Sequence, residues 1–247
     1  MLTVMRVFSL IFAVAPVILI VYYVRRNNIY RAYADIDIFK TFFLGMAAVI
    51  PIIIGETFIG SLVPAQFGFP ADNFFIAFLS AGFVEETCKI LVLAYVYDRK
   101  DFRMRMDGIV FCVVAALGMA FVEDVMYIFR STDPIQTAII RGILCIPGHA
   151  LDTGIAGFFI AVAKQEDRVN KAYGDTYVFL GWLSAVFMHG LYDYFVFECN
   201  TPSAAYRDWM HIGVFSVFIV QLVTMMYLIS LARASDKKLP GVKEVHD

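Results

Sequence analysis

Charged side chains are scarce in this chain, because Asp, Glu, Lys and Arg make up only 17% of its 247 residues. A soluble domain usually carries about 25%. The formal net charge is -2, and the basic residues form no large patch, so the composition argues against nucleic-acid binding. There are four cysteines, of which Cys88, Cys112 and Cys145 lie inside apolar runs. This placement argues against a disulfide framework.

Apolar residues dominate instead, at 60% of the chain, and the mean hydropathy is +0.72. Apolar runs of about 20 residues, the length that crosses a bilayer, recur along the chain. We therefore predict an all-α, polytopic transmembrane helix bundle in the cell membrane, forming one integral membrane domain over residues 1–247. Seven spans are predicted at 5–24, 39–63, 74–97, 108–130, 135–163, 176–198 and 210–232, followed by a polar cytoplasmic tail at 234–247.

The basic residues of the predicted loops alternate along the chain. By the positive-inside rule, the basic loops face the cytoplasm, which places the N-terminus outside and the C-terminus in the cytoplasm. The loop around Gln66 is then expected outside. The basic loops and the tail carry Arg25, Arg26, Arg31, Lys40, Arg99, Lys100, Arg103, Arg105, Lys164, Arg168, Lys171, Arg233, Lys237, Lys238 and Lys243, whereas the other loops hold little beyond Arg130, Arg141 and Arg207.

Ionisable residues inside the predicted spans concentrate in four consecutive segments. Such groups are costly in a bilayer and by default mark a functional site. At a rise of about 1.5 Å per residue, all of them lie at overlapping depths, roughly 7–18 Å below the outer surface. We therefore interpret them as one site. The residues are Glu85, Glu86 and Lys89, then Glu123 and Asp124, then His149 and Asp152, then His189 and Asp193.

The spacing of these residues suggests a metal-dependent hydrolase. His189 and Asp193 are four residues apart, so they share a helix face and suit a divalent metal such as zinc. His149 and Glu123 are candidate ligands from neighbouring helices, with the choice between Glu123 and Asp193 left open. A nearby free glutamate would take the proton of the attacking water.

Each residue also has a structural explanation when it is taken alone. The pair Glu85–Lys89 is typical of a packing salt bridge, and His149 lies near Pro147, whose ring frees a backbone carbonyl for it to bond. Asp124 and Asp152 lie beside better candidates, and Glu56 is isolated in the second span. The whole constellation is more specific than any of its members.

The four motifs resemble the PrsW family of intramembrane proteases, which is related to the CAAX-prenyl proteases. The chain has Glu85-Glu86-x-x-Lys89, then the stretch Gly118 to Glu123, then His149 with Thr153, then His189-x-x-x-Asp193, in the family's order. The resemblance covers about residues 74–198. Asp124 and Met119 depart from the family, in which an asparagine and an aromatic residue are usual.

The resemblance implies peptide-bond hydrolysis in or beside the membrane, with a divalent metal and a membrane-anchored substrate such as a single-span anti-sigma factor. The types of the candidate ligands favour zinc as the metal. We expect His149, His189 and either Glu123 or Asp193 to bind the metal. Glu85 is the expected general base with Glu86 second, and Lys89 sets the charge of Glu85. The expected partners are this substrate and the lipid bilayer; the oligomeric state is left open.

Two other functions account for the same buried residues. A proton- or cation-coupled transporter also buries carboxylates and histidines near the midplane, although its usual internal symmetry is missing here. A noncatalytic scaffold of the same superfamily would keep the cluster for packing. Substrate-dependent flux without peptide cleavage would indicate a transporter. Full function of a variant that lacks Glu85 would indicate a scaffold.

Overall fold

The computed structural model describes residues 2–62, 71–167, 170–199 and 203–239, and within these ranges the chain is helical and has no β-strand. The predicted loop around Gln66 and most of the predicted tail lie outside the described residues. The helices are α1 (Leu2–Asn27), α2 (Asp35–Leu62), α3 (Ala71–Phe75), α4 (Val84–Leu91), α5 (Ala94–Tyr97), α6 (Arg105–Arg130), α7 (Pro134–Ile140), α8 (Ile146–Glu166), α9 (Lys171–Glu198) and α10 (Ala204–Asp236).

Two segments of π-helix join neighbouring α-helices into longer rods. Ile76–Phe83 connects α3 to α4, and Arg141–Cys145 connects α7 to α8. Short π segments inside α-helices are frequent at functional sites. Here each π segment ends just before a candidate site residue, since α4 begins one residue before Glu85 and α8 begins three residues before His149.

Every predicted span corresponds to a helix or to a helical rod, so the all-α class is confirmed. Five of them are long and apolar enough to cross a membrane, namely α1, α2, α6, the rod Pro134–Glu166 and α10. These five helices make the chain a multi-pass membrane protein. The α3–α4 rod and α9 are not among these five, and they carry several of the charged and histidine residues predicted to form the site.

Helix α6 forms the centre of the bundle, and its residues from Met106 to Ala120 are buried on every side. Glycines allow its close packing against neighbouring backbones. A Cβ atom on Gly108 would lie 2.1 Å from the carbonyl oxygen of Gly157 in α8, and one on Gly118 would lie 2.1 Å from that of Phe42 in α2. Small residues at helix contacts are characteristic of membrane bundles, where close backbone approach supplies van der Waals attraction.

The last helix continues further than the predicted boundary of the polar tail at residue 234. Asp236 is fully buried at the end of α10. Its two carboxylate oxygens accept hydrogen bonds from the backbone N–H groups of Arg105 (2.8 Å) and Met106 (3.0 Å) at the start of α6. A carboxylate at a helix N-terminus satisfies otherwise unpaired N–H groups and the helix dipole. This contact explains why the helix extends to Asp236.

Candidate active site

Helix α4 contributes two buried carboxylates and one buried amine. Lys89 is fully buried, and its Nζ atom lies 3.0 Å from Oε2 of Glu85 and 2.8 Å from Oε1 of Glu86. The three residues are three and four positions apart, so their side chains meet on one face of the helix. The sequence predicted the pair with Glu85; the structure shows that the same ammonium also binds Glu86.

His189 of α9 lies between the two glutamates. Its Nδ1 atom is 2.8 Å from Oε1 of Glu86, and its Nε2 atom is 3.8 Å from Oε2 of Glu85 and 3.4 Å from Oδ2 of Asp193. Glu86 also accepts a hydrogen bond from the hydroxyl of Thr153 at 2.7 Å. Glu86 is therefore fully engaged by its neighbours, and it fixes the orientation of the imidazole.

His149 of α8 has a matching arrangement. Its Nε2 atom lies 3.0 Å from Oε2 of Glu123, and its Nδ1 atom lies 3.1 Å from Nζ of Lys89 and 3.8 Å from Oε2 of Glu85. An ammonium group only donates, so Nδ1 accepts and the ring proton is on Nε2, facing Glu123. Each imidazole thus has a carboxylate on one nitrogen and directs the other nitrogen toward Glu85.

Three potential ligand atoms converge at this point. One atom each from Glu85, His149 and His189 lie within 4.8 Å of one another, and all three residues are buried. Oε2 of Glu85 is buried, and it lies 3.0 Å from Nζ of Lys89 and 3.8 Å from one nitrogen of each histidine. Two imidazole nitrogens and a carboxylate are a donor set that zinc accepts, and carboxylates on the far imidazole nitrogens are the usual support of such ligands. The residues present therefore fit a divalent metal, which would replace the Lys89 hydrogen bond at Nδ1 of His149.

The other two predicted ligands lie at the rim of this centre. Glu123 contacts the far nitrogen of His149 and forms an ion pair with Arg141, at 2.9 Å. Asp193 contacts His189 on the side that faces Glu85, and about a fifth of its side chain is exposed. The structure brings all seven predicted site residues together, but it places Glu85, rather than Glu123, between the histidines.

Sequence analysis missed two polar residues beside the site. It counted Arg141 as a loop charge, although Arg141 lies in the rod Pro134–Glu166, where its Nε atom is 2.6 Å from Oδ1 of Asp124 and its guanidinium stacks 4.0 Å from the ring centre of Tyr127. It also passed over Gln221 of α10, whose amide donates to Asp152 at 2.6 Å. A charge and an amide within apolar segments were the signals that could have identified them.

The histidines open onto a cavity of about 550 Å³ between α2, α6, α8, α9 and the first π segment. Its lining is polar near the histidines and apolar elsewhere, with Ile52, Ile53 and Ile76 among the apolar residues. Glu56 also lines it, close enough for its carboxyl group to interact with that of Glu85. At Gly148, a Cβ atom would meet nothing within 4 Å. The cavity therefore has room for another chain directly beside His149.

The fold and the site define a multi-pass membrane protein with carboxylates and imidazoles gathered around a buried cavity. Residues 37–229 match a family described as "PrsW family intramembrane metalloprotease". The chain belongs to the PrsW family and is an intramembrane protease of the cell membrane.

Curated relatives agree with this assignment. Proteins named "Protease PrsW" match from Geobacillus kaustophilus (33% identical over 189 residues, 76% of this chain and 79% of the relative) and Clostridioides difficile (28% over 193 residues, 77% and 79%). The protein of that name from Bacillus subtilis is 28% identical over 210 residues, covering 84% of this chain and 85% of the relative. No solved structure gives a significant match.

Proposed function

We propose that the chain hydrolyses peptide bonds of membrane-anchored proteins with the help of one divalent metal, zinc, held by Glu85, His149 and His189. The observation that supports this proposal is the convergence of three buried ligand atoms, in which Oε2 of Glu85 lies 3.8 Å from one nitrogen of each histidine and 3.0 Å from Nζ of Lys89. Zinc bound there would act as a Lewis acid toward the substrate carbonyl and activate water for attack.

The charge of the site also favours a divalent cation. Four carboxylates, those of Glu85, Glu86, Glu123 and Asp124, share two permanent cations, Lys89 and Arg141, and Asp193 adds a fifth carboxylate that pairs only with His189 among the described residues. An excess of buried negative charge is costly in a low-dielectric environment unless protons or a metal neutralise it.

The remaining residues divide into positioning groups and a proton carrier. Glu86 and Glu123 hold the imidazole rings, and Lys89 holds Glu85 and Glu86 in register. Asp193 lines the cavity, is partly exposed and lies 3.4 Å from Nε2 of His189. We assign Asp193 to take the proton of the attacking water and to deliver it to the departing amine, which exchanges the sequence-based roles of Glu85 and Asp193.

The shape of the cavity supports a membrane-anchored substrate. Ile53 and Ile76 line it and are also exposed on the apolar outer surface of the bundle, so the site is bordered by residues that face lipid. An extended segment of a single-span protein, such as an anti-sigma factor, fits a site placed in this way. That substrate class follows from the family resemblance.

The topology that accompanies this function has seven spans, with the N-terminus outside. The α3–α4 rod and α9 surround the site together with α2, α6 and α8, so all of these helices are at the same level of the bundle. Under this orientation the cavity opens in the outer half of the bilayer, because α2 and α6 end, and the first π segment begins, on the outer side.

Metal analysis of three purified proteins tests the proposal. The wild type should contain one zinc per chain and cleave a membrane-embedded peptide in liposomes. Glu85→Gln should lose both zinc and cleavage, whereas Asp193→Asn should retain zinc and lose about 10²–10⁴-fold in turnover. Retention of zinc by Glu85→Gln, with loss by Asp193→Asn, would restore the sequence-based roles. A wild type that cleaves without stoichiometric metal would overturn the metal mechanism.

A further inference from the structure

A second cavity of about 640 Å³ lies between α1 and α2, far from the histidines in the arrangement of the helices. Helix α1 packs against α6, α7 and α8, and the cleft separates it from α2. The floor is Val114 of α6. The cavity walls are apolar along most of their length, with Val17, Ile18, Val21, Ile38, Phe39 and Phe42 contributing.

One end of this cleft is strongly basic. Arg25, Arg26 and Arg31 line it, at the end of α1 and in the connection to α2. Arg25 is paired with Asp35 at 2.6 Å, and its buried Nε atom has no hydrogen-bond partner among the described residues. The Arg26 guanidinium lies 5.8 Å from the centre of the Tyr22 ring and donates to its hydroxyl at 2.6 Å. No carboxylate of the described ranges lies within ion-pair distance of Arg26.

An apolar cleft with cationic groups at one end matches the chemistry of an anionic phospholipid. Arginine forms strong paired hydrogen bonds with phosphate, and basic pockets between membrane helices bind anionic headgroups. The exposed side chains of Ile18 and Phe39 place the cleft on the lipid-facing surface. We propose that this cleft binds one anionic phospholipid, with its phosphate at the three arginines and an acyl chain between α1 and α2.

A helix from a second copy or from a substrate fits this cleft less well. A helix with its side chains is roughly 10–12 Å across, whereas an acyl chain is much narrower and can lie along the apolar walls of the cleft. A helix would also need its own anionic group at the arginines, which a phospholipid supplies in every molecule.

Lipid titration of the full chain in detergent tests the proposal, with phosphatidylglycerol and phosphatidylcholine of identical acyl chains. Binding is read by native mass spectrometry. The wild type should prefer phosphatidylglycerol. Arg26→Gln/Arg31→Gln should raise its dissociation constant about 25-fold, roughly fivefold for each arginine. The dissociation constant of phosphatidylcholine should rise less, because its choline cation already opposes the arginines. Arg207→Gln, which removes one charge outside the cleft at the start of α10, should change neither.

A second variant tests whether the apolar walls of the cleft contribute to lipid binding. Val21 lies in the cleft and is partly buried, so Val21→Trp should fill it and weaken both lipids while the bundle stays folded. Glycerol phosphate, which has the anionic group without acyl chains, should not displace the lipid. The proposal would be overturned if the wild type bound both lipids with equal affinity, or if Arg207→Gln weakened phosphatidylglycerol binding as much as the double arginine variant does. Displacement of the lipid by glycerol phosphate would also overturn it. None of these measurements depends on peptide cleavage, so their outcome is independent of the proposed protease mechanism.

Discussion

Oε1 of Glu86 lies 2.8 Å from Nδ1 of His189 and is also 2.8 Å from Nζ of Lys89, with Glu86 itself fully buried. One oxygen therefore orients an imidazole and holds an ammonium at the same time. This geometry distinguishes Glu86 from its neighbour Glu85, whose Oε2 atom pairs with Lys89 at 3.0 Å and faces both histidines at 3.8 Å. Adjacent glutamates on α4 thus have different surroundings.

Glu86→Gln should weaken metal binding about 10–100-fold, because a carboxylate that supports a ligand histidine sets its tautomer and its orientation. The measurement is competition with a chelator of known zinc affinity. Thr153→Val removes only the hydrogen bond to the other oxygen of Glu86 and should have a smaller effect. If Glu86→Gln binds zinc as the wild type does, Glu86 is not a positioning residue for His189.

Lys89→Met should destabilise the bundle by about 3–5 kcal/mol, because it leaves two buried carboxylates without their cation. Glu85→Gln should cost less, since Lys89 keeps Glu86 as a partner. The double variant Glu85→Gln/Lys89→Met should recover part of the stability, measured by thermal unfolding in detergent, and remain inactive. Recovery of cleavage in the double variant would show that the pair of Glu85 and Lys89 is structural.

Arg141→Met should also be strongly destabilising, by about 3–5 kcal/mol, because Asp124 is fully buried and loses its cation. Adding Asp124→Asn removes one of the two carboxylate charges that Arg141 pairs with, the other being Glu123, and should restore part of the loss in the same unfolding assay. A single variant as stable as the wild type would mean that the ion pair contributes no net stability.

Gly148 offers a test of substrate approach that leaves the titratable groups intact. Gly148→Leu should reduce peptide cleavage sharply without lowering the melting temperature, because its side chain enters the cavity beside His149. Gly148→Ala should have a smaller effect on cleavage and stabilise α8 slightly, by up to about 1 kcal/mol. Gly108→Ala is the contrast, since its Cβ atom collides with Gly157 and should destabilise the packing. Undiminished cleavage by Gly148→Leu would place the substrate elsewhere.

Single cysteines in an otherwise cysteine-free chain test the orientation. Cysteines at Lys100 and Asp133 lie at opposite ends of α6, just outside its limits. An impermeant thiol reagent added to intact cells should label only the second, because the loop that contains Lys100 is basic and is expected in the cytoplasm. Labelling of Lys100→Cys alone would invert the topology and place the cavity in the inner half of the bilayer.

The helical class of the fold and the residues of the candidate site can be predicted from the sequence alone. Apolar length predicted each helix, since a bilayer requires about 20 apolar residues in a segment whose backbone is hydrogen-bonded internally. Ionisable residues within those segments identified the site, because their burial in a membrane needs partners. The order of the four motifs indicated the family, and Glu85, Glu86, Lys89, His149, His189, Glu123 and Asp193 are indeed gathered in one place.

Only the tertiary structure decided which atoms face one another. Spacing places His189 and Asp193 on one face of α9, but the rotation of α4 and α8 against α9 determines that Glu85, rather than Glu123, lies between the imidazoles. That rotation depends on π segments and on the close packing of glycines such as Gly108 and Gly157, which arise from contacts between distant parts of the chain. Helical periodicity describes each helix separately, whereas the distances between side chains of different helices depend on packing.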